Sequence, residues 1–218
     1  MGKLDGRIAI VSGSGRGIGR ACALKLASEG ARVLVNDLDA APAQETLEAI
    51  RAMGGEAVAV AGSVTETGFA ERFVGAAIDT WGGLDIIVNN AGFTWDSVIQ
   101  KMTDEQFDAV LDVHLKAPFR ILRAAIGFIR EQSKRDAEAG REVFRKVVNV
   151  SSISGTHGNA GQTNYSTAKA GITGMTRTLA KEWGRYKVNV NAVAFGYIVT
   201  RMTQAVDQPG TTVDVGGR

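Results

Sequence analysis

The sequence predicts an α/β fold of doubly wound topology, a three-layer arrangement with one parallel sheet between two layers of helices. Three observations predict it. Short apolar runs alternate with helical patterns from the N-terminus to about residue 193. The first run, Ile8–Val11, passes at once into a glycine-rich turn, Ser12-Gly13-Ser14-Gly15-Arg16-Gly17-Ile18-Gly19, which opens a helix. Gly is frequent, 27 of 218 residues, and Pro scarce at 3, which fits many tight turns and helix ends in an ordered chain. A strand, a glycine turn, a helix and a second strand within about thirty residues form a Rossmann-type unit.

Each element has its own signal. Ile8–Val11 is continuously apolar, as suits a strand buried on both faces. The first helix runs to Glu29, with Ile18, Cys22 and Leu26 as its apolar line and Gly30 as its stop. The second strand is Arg32 to Asn36, closed by Asp37. A helix over 41–53 has Pro42 near its start and Gly54-Gly55 after its end. Ala57 to Ala61 is the third strand. Thr65 opens a helix with Phe69, Phe73 and Ala77 on one face, stopped by Gly82-Gly83. The fourth strand, Leu84 to Val88, ends in Asn89-Asn90-Ala91-Gly92. Thr103 and Gln106 form a capping-box pattern, and Phe107, Val110, Leu111, His114 and Leu115 share the buried face of the helix that follows. The charged stretch 130–146 reads as an exposed helix end and loop. Val147 to Val150 is the fifth strand, a long helix ends near Trp183, and Val188 to Val193 is the sixth strand.

Composition excludes several classes. The chain is 44% hydrophobic, enough for the core of one large domain over 1–218. A net charge of +2 argues against a nucleic-acid binder working through a broad basic field. No apolar run approaches the ~18 residues of a membrane span, and the N-terminus lacks a signal-peptide core. Cys22 is the only cysteine, so no internal disulfide forms, and a reducing cytoplasm is expected. No metal site is expected.

Several residues point to chemistry. Glycines between a strand and a helix let a pyrophosphate approach the backbone, and the helix N-terminus offers free N–H groups. Asp37, closing the second strand, can accept hydrogen bonds from ribose hydroxyls and repels a 2′-phosphate, favouring NAD over NADP. Arg16 pulls the other way if it meets that phosphate; otherwise it is a solvated surface charge. Tyr165 and Lys169 are four residues apart, hence on one helix face. Alone, that spacing is common on solvated helices. A cation beside a phenol favours the phenolate, which lowers the tyrosine pKa and suits acid–base work. Ser152, thirteen residues before Tyr165, stands at a strand end with a hydroxyl able to hold a substrate oxygen.

Together these segments resemble the short-chain dehydrogenase/reductase family, in the branch that includes 3-oxoacyl-carrier-protein reductases. Ser12-Gly13, Gly17-Ile18-Gly19 resemble its cofactor loop, Asn89-Asn90-Ala91-Gly92 its strand end, Ser152, Tyr165 and Lys169 its catalytic set, and Phe195-Gly196-Tyr197-Ile198-Val199-Thr200 its Pro-Gly-x-Ile-x-Thr segment. The resemblance spans residue 7 to about 203. It implies hydride transfer between a nicotinamide and a carbonyl or secondary alcohol. Tyr165 is implied as general acid–base, Lys169 as its activator and ribose ligand, and Ser152 as the substrate-oxygen ligand. The implied cofactor residues are Gly13, Arg16, Gly17, Ile18, Gly19, Asp37, Val64, Asn90, Ala91, Gly92, Gly196, Ile198 and Thr200, with Tyr165 and Lys169. NAD(H) is the expected cofactor and NADP(H) the alternative. Phe93, Thr94, Trp95, Ile153, His157 and Tyr197 flank the motifs and are expected around the substrate.

The sequence departs from the family pattern at four places. His114 stands at a usual asparagine that is implied to hold a water behind the lysine. An imidazole either keeps such a relay or is a locally satisfied core histidine. Ser63 stands where an aspartate commonly meets adenine, and Phe195 replaces a proline. After Met202 only 203–218 remain, where the family has forty residues or more. The expectation is a chain that stops within a substrate lid, with six strands and the family's last strand missing; a shortened last strand over 212–217 is the alternative. The long helices, about 102–130 and 165–183, are expected to support a homodimer or homotetramer. Three functions follow: an NAD(H)-dependent alcohol dehydrogenase or carbonyl reductase, an NADPH-dependent 3-oxoacyl-carrier-protein reductase, or a cofactor-binding subunit with little catalysis. The substrate is a small carbonyl compound or acyl thioester, with no nucleic acid and no membrane involved.

Overall fold

The structure is a computed structural model that describes residues 2–200. The short C-terminus, 203–218, lies outside the described residues. The elements run β1 (Ile8–Val11), α1 (Gly17–Ser28), β2 (Arg32–Asp37), α2 (Ala40–Ala52), β3 (Ala57–Ala61), α3 (Phe69–Trp81), β4 (Ile86–Asn89), α4 (Asp104–Leu111), α5 (Ala117–Glu138), β5 (Arg145–Ser152), α6 (Ile153–His157), α7 (Thr163–Trp183) and β6 (Val188–Phe195). The strands form one six-stranded sheet, order β3-β2-β1-β4-β5-β6, and every pairing is parallel.

Alternation along each strand builds two cores. Ile8 and Ile10 of β1 join Leu34, Ile87 and Val147 under α3 and α5, with Phe69, Phe73, Ile121 and Ile129 from those helices. Ala9 and Val11 point the other way and join Val33, Val35, Ile86 and Val88 under α1 and α2. Strands buried on both faces need apolar residues at successive positions. The order of strands reverses between β1 and β4, so a crevice opens at their C-terminal ends.

Four local expectations are corrected. The buried line of α1 is Gly19, Ala23 and Ala27, while Ile18, Cys22 and Leu26 are half-buried. Only small residues let α1 sit this close: a Cβ on Gly19 would lie 2.1 Å from the Gly13 oxygen. The third helix begins at Phe69, not Thr65, because Gly68 precedes it in the left-handed region at φ 79°. Ser63 and Thr65 instead close a hydroxyl-linked turn. The stretch 130–146 is not wholly exposed. Asp136 and Arg145 are buried, and Asp136 accepts hydrogen bonds from Arg141 at 2.9 Å and Arg145 at 2.8 Å. That pairing starts β5 two residues before Val147. The capping box of Thr103 and Gln106 is present.

Between α4 and α5 the helix widens into a π turn, Asp112–Lys116. Pro118 has no N–H to give the carbonyl of His114, so the regular hydrogen-bond ladder breaks there. Such π turns recur at functional sites, and His114 sits in this one.

Candidate active site

The glycine turn is held open by its neighbours. Asn36, buried at the end of β2, accepts the Gly13 N–H at 3.1 Å and donates to the carbonyls of Val60 and Gly62. Asn90 donates to the Ser12 and Gly13 carbonyls at 3.0 and 2.9 Å. The Ser12 hydroxyl accepts the N–H groups of Asn90 and Ala91. The turn, β2 and the end of β4 are thus one hydrogen-bonded unit. A Cβ on Gly13 would meet the Ala91 Cα at 2.6 Å, and one on Gly15 would meet the Asp37 Oδ2 at 2.5 Å. No side chain caps α1, so its first N–H groups face the cleft, which favours an anion.

At the end of β2, Asp37 faces the cleft and accepts the Asp39 N–H at 3.2 Å. Arg16 is paired with Asp39 at 3.3 Å.

At the other end of the cleft, β5 delivers Ser152 and the first turns of α7 deliver Tyr165 and Lys169. Lys169 is 3% exposed, and its ammonium donates to the Val150 carbonyl at 2.6 Å. It lies 5.5 Å from the centre of the Tyr165 ring. Burial pushes Lys169 down to about 7. Burial also pushes the Tyr165 phenol above its ordinary value; the Ser152 hydroxyl pulls it down and the Asp96 charge pushes it up. The expectation that the cation lowers the tyrosine pKa is therefore corrected. Desolvation is the largest influence on each group, because each charged form loses its water.

His114 is buried beneath this pair, with its ring edge-on to Tyr165 at 5.0 Å between centres. Its Nε2 lies 2.7 Å from the Phe93 carbonyl oxygen and 3.1 Å from the Phe93 N–H. Its Nδ1 is buried without a hydrogen-bond partner among the described residues. Burial, then the Lys169 charge, holds the imidazole well below its ordinary value, so it is neutral. Neither sequence reading describes it fully: one nitrogen is satisfied locally and the other is not. Gly92 must be glycine here, since a Cβ would lie 2.2 Å from the His114 Cε1.

One cavity of about 970 Å³ connects both ends. It is lined by Gly13, Arg16, Gly17, Ile18 and Gly19 of the turn, Asp37 and Val64 beyond it, and Asn90, Ala91 and Gly92 after β4. His114, Ser152, Tyr165, Lys169, Gly196, Ile198 and Thr200 complete the wall. The residues that the sequence suggests for catalysis and for the cofactor thus all line this one cavity. A model of the short chain dehydrogenase family matches residues 7–210. The chain belongs to the short-chain dehydrogenase family.

Its relatives are informative about chemistry. The chain is 45% identical over 195 residues to a hydroxyacyl-CoA dehydrogenase, ChsB1, of Mycobacterium tuberculosis, covering 87% of this chain and 61% of that one. It is 39% identical over 205 residues to a 3-oxoacyl-[acyl-carrier-protein] reductase of Synechocystis, covering 94% of this chain and 79% of the relative. A crystal structure of a short chain dehydrogenase from Mycobacterium avium superposes with a TM-score of 0.85 at 44% identity, covering 93% of this chain and 71% of that one. This chain is thus shorter than the proteins it matches.

On the substrate side, Phe93, Thr94, Ile153 and Tyr197 line the cavity, but Trp95 and His157 do not. Trp95 offers its carbonyl to Asn164 at 3.0 Å, and the exposed His157 bonds Thr156 at 2.8 Å. Sequence reasoning missed Asp96, Ser154, Asn159 and Gln162, which do line it. It also missed the fully buried Asn164, which ties the 93–97 strap to α7. The Ser63 hydroxyl faces Thr65 at 2.8 Å. No group of three His, Cys, Asp or Glu able to hold a metal occurs among the described residues, and no described helix is long and apolar enough to cross a membrane.

Proposed function

We propose that this short-chain dehydrogenase transfers hydride between a nicotinamide dinucleotide and the C3 oxygen-bearing carbon of a 3-oxoacyl or 3-hydroxyacyl thioester. One observation carries the reading: Ser152, Tyr165 and Lys169 converge at one end of a cleft whose other end is an uncapped helix N-terminus behind a glycine turn. The residues fit a dinucleotide, because the turn leaves no room for a Cβ at Gly13, Gly15 or Gly19 and the helix end suits a pyrophosphate. The names of the relatives, a hydroxyacyl-CoA dehydrogenase and a 3-oxoacyl reductase, share the β-oxygenated acyl thioester.

A bound nicotinamide would supply or accept the hydride. The chain supplies the rest. Tyr165 gives its phenolic proton to the carbonyl oxygen in reduction and takes it back in oxidation. Ser152, whose hydroxyl faces that phenol, orients the substrate oxygen. Lys169, tethered to the Val150 carbonyl, and the neutral His114 keep a second protonatable group behind Tyr165. General acid–base help of this kind is worth about 10²–10⁴ in rate. The test is cofactor consumption when the protein is given NADH and S-acetoacetyl N-acetylcysteamine. Steady loss of NADH absorbance is expected; tight cofactor binding with no turnover on any carbonyl would favour the non-catalytic subunit.

We infer NAD(H) as the preferred cofactor. Asp37 would accept the ribose hydroxyls, and Arg16, a cation of the turn that could draw in a 2′-phosphate, is already paired with Asp39. Replacing Asp37 and Asp39 together by Ser should raise the ratio of NADPH to NADH affinity by about tenfold or more, equivalent to ~1.4 kcal/mol. An unchanged ratio from fluorescence titrations would contradict the assignment. A homodimer or homotetramer through α4–α5 and α7, and residence in the reducing cytoplasm, complete the proposal; light scattering at the monomer mass would refute the assembly.

A further inference from the structure

Asn164 precedes Tyr165 in the chain and is completely buried, 0% exposed. It takes no part in the cavity wall. Its whole amide is nevertheless engaged. The Nδ2 donates to the Trp95 carbonyl at 3.0 Å and to the Gln106 carbonyl at 3.1 Å. The Oδ1 accepts the Tyr165 N–H at 2.8 Å. One side chain thus joins three segments: the 93–97 strap, α4 and the first turn of α7.

The bond to Tyr165 has a local reason. Helix α7 begins at Thr163, and no side chain caps it from Gln162. The N–H groups of a first turn have no partner within the helix, and Asn164 meets the one on Tyr165. The other two bonds fix where that turn sits. The strap carries Phe93 and Thr94 in the cavity wall. His114 holds it at Phe93 and Gly161 holds it at Ser97; Asn164 takes its middle. An asparagine brings two donors and an acceptor on a short arm. A leucine would deprive two carbonyls and an N–H of this partner, and an aspartate would set a carboxylate against both carbonyls. A site that needed only filling would be met by an apolar side chain.

We propose that Asn164 is a positioning residue for hydride transfer: through its three bonds it holds the first turn of α7 so that the Tyr165 hydroxyl stands beside Ser152 at the substrate oxygen. The inference rests on the hydride-transfer reading above. A proton donor must come within hydrogen-bond reach of the oxygen it serves, and a misplacement of about 1 Å is enough to cost about 10²-fold in rate. Asn164 acts on the chemistry through Tyr165 and touches neither substrate nor cofactor.

Two variants test it. Asn164→Ala removes all three bonds and leaves room for water to meet the freed groups. Asn164→Asp keeps the shape and the acceptor for the Tyr165 N–H but, when ionised, lacks both donors. Each is compared with the wild type for kcat and KM with NADH and S-acetoacetyl N-acetylcysteamine, and for NAD⁺ affinity by calorimetry. NMR of protein labelled with carbon-13 at tyrosine Cζ reads the phenols directly, with the Tyr165 signal assigned by Tyr165→Phe. Each variant should lose about tenfold to a hundredfold in kcat, with KM changed less and NAD⁺ affinity close to that of the wild type. The Tyr165 signal should shift, while that of Tyr186, beyond the far end of α7, stays in place. An unaltered kcat in Asn164→Ala, or a lower melting temperature with kcat and the Tyr165 signal unaltered, overturns the proposal and leaves a structural tie only. Failure of both variants to fold would do the same. If the wild type does not reduce the thioester, the hydride-transfer reading fails and the Tyr165 signal decides alone: a shift keeps Asn164 as the residue that places Tyr165, and no shift removes it.

Discussion

Tyr165→Phe is expected to lower turnover by about 10²–10⁴-fold and to leave cofactor affinity close to that of the wild type. The ring keeps its packing, since Tyr165 is 9% exposed and meets His114 edge-on. Only the hydroxyl is lost. The Lys169 ammonium is bound to the Val150 carbonyl and the His114 Nε2 faces Phe93, so neither stands where the phenol stood. The pH dependence has a definite sign. The phenol lies above its ordinary value, so it is protonated at neutral pH. Reduction needs the phenol and should fall as pH rises through the alkaline range; oxidation needs the phenolate and should climb over the same range. Profiles of kcat/KM in both directions check this, and the Phe variant should show neither limb. Full activity in that variant would remove Tyr165 from the chemistry.

Lys169→Met is expected to abolish efficient turnover and yet stabilise the protein at neutral pH. Lys169 is 3% exposed, and burial pushes it from 10.5 down to about 7. Between those values the unfolded chain holds a proton that the folded protein has shed. Stability therefore rises with pH across that window and is lowest, by an amount on the order of a few kcal/mol, below about 7. Methionine fills similar volume without the charge. The variant leaves the Val150 carbonyl without its ammonium donor, which offsets about 1 kcal/mol. The net gain should raise the melting temperature at pH 7 by several degrees, and the difference from the wild type should shrink towards pH 10. A melting temperature lowered at pH 7, or a difference independent of pH, would contradict the assigned burial of the charge. A cation retained at this cost is what a site selected for chemistry, rather than stability, would show.

The fold was readable in the sequence because its signals are local. An apolar run, a glycine stop and a capping box each declare an element within a few residues, and the glycine turn between β1 and α1 identifies the dinucleotide cleft by position alone. The Tyr165–Lys169 spacing suggests the proposed chemistry but not its electrostatics. Four residues of separation show that a cation and a phenol are neighbours; they do not show that both are buried, and burial decides the sign of the tyrosine shift. The π turn at His114 depends on a proline four residues on and on the close approach of Gly92, a tertiary contact. Asp96 and Gln162 are 66 residues apart, and nothing near Asp96 distinguishes it from a loop carboxylate. Arg16 was read as a possible phosphate ligand because its partner Asp39 lies 23 residues away, across the turn. What remained hidden was in each case a contact between distant segments or the loss of water around a charge.

Direct transfer of hydride to a β-oxygenated thioester is tested most simply with an isotope. The protein is incubated with S-acetoacetyl N-acetylcysteamine and NADH stereospecifically deuterated at C4, using each epimer in turn, and the products are examined by mass spectrometry and NMR. Deuterium from one epimer should appear at the new carbinol carbon, with none washed out to solvent, and the Tyr165→Phe variant should reduce the rate without changing which epimer donates. Cofactor bound and the thioester recovered unreduced, or carbinol formed without deuterium from either epimer, would contradict the account.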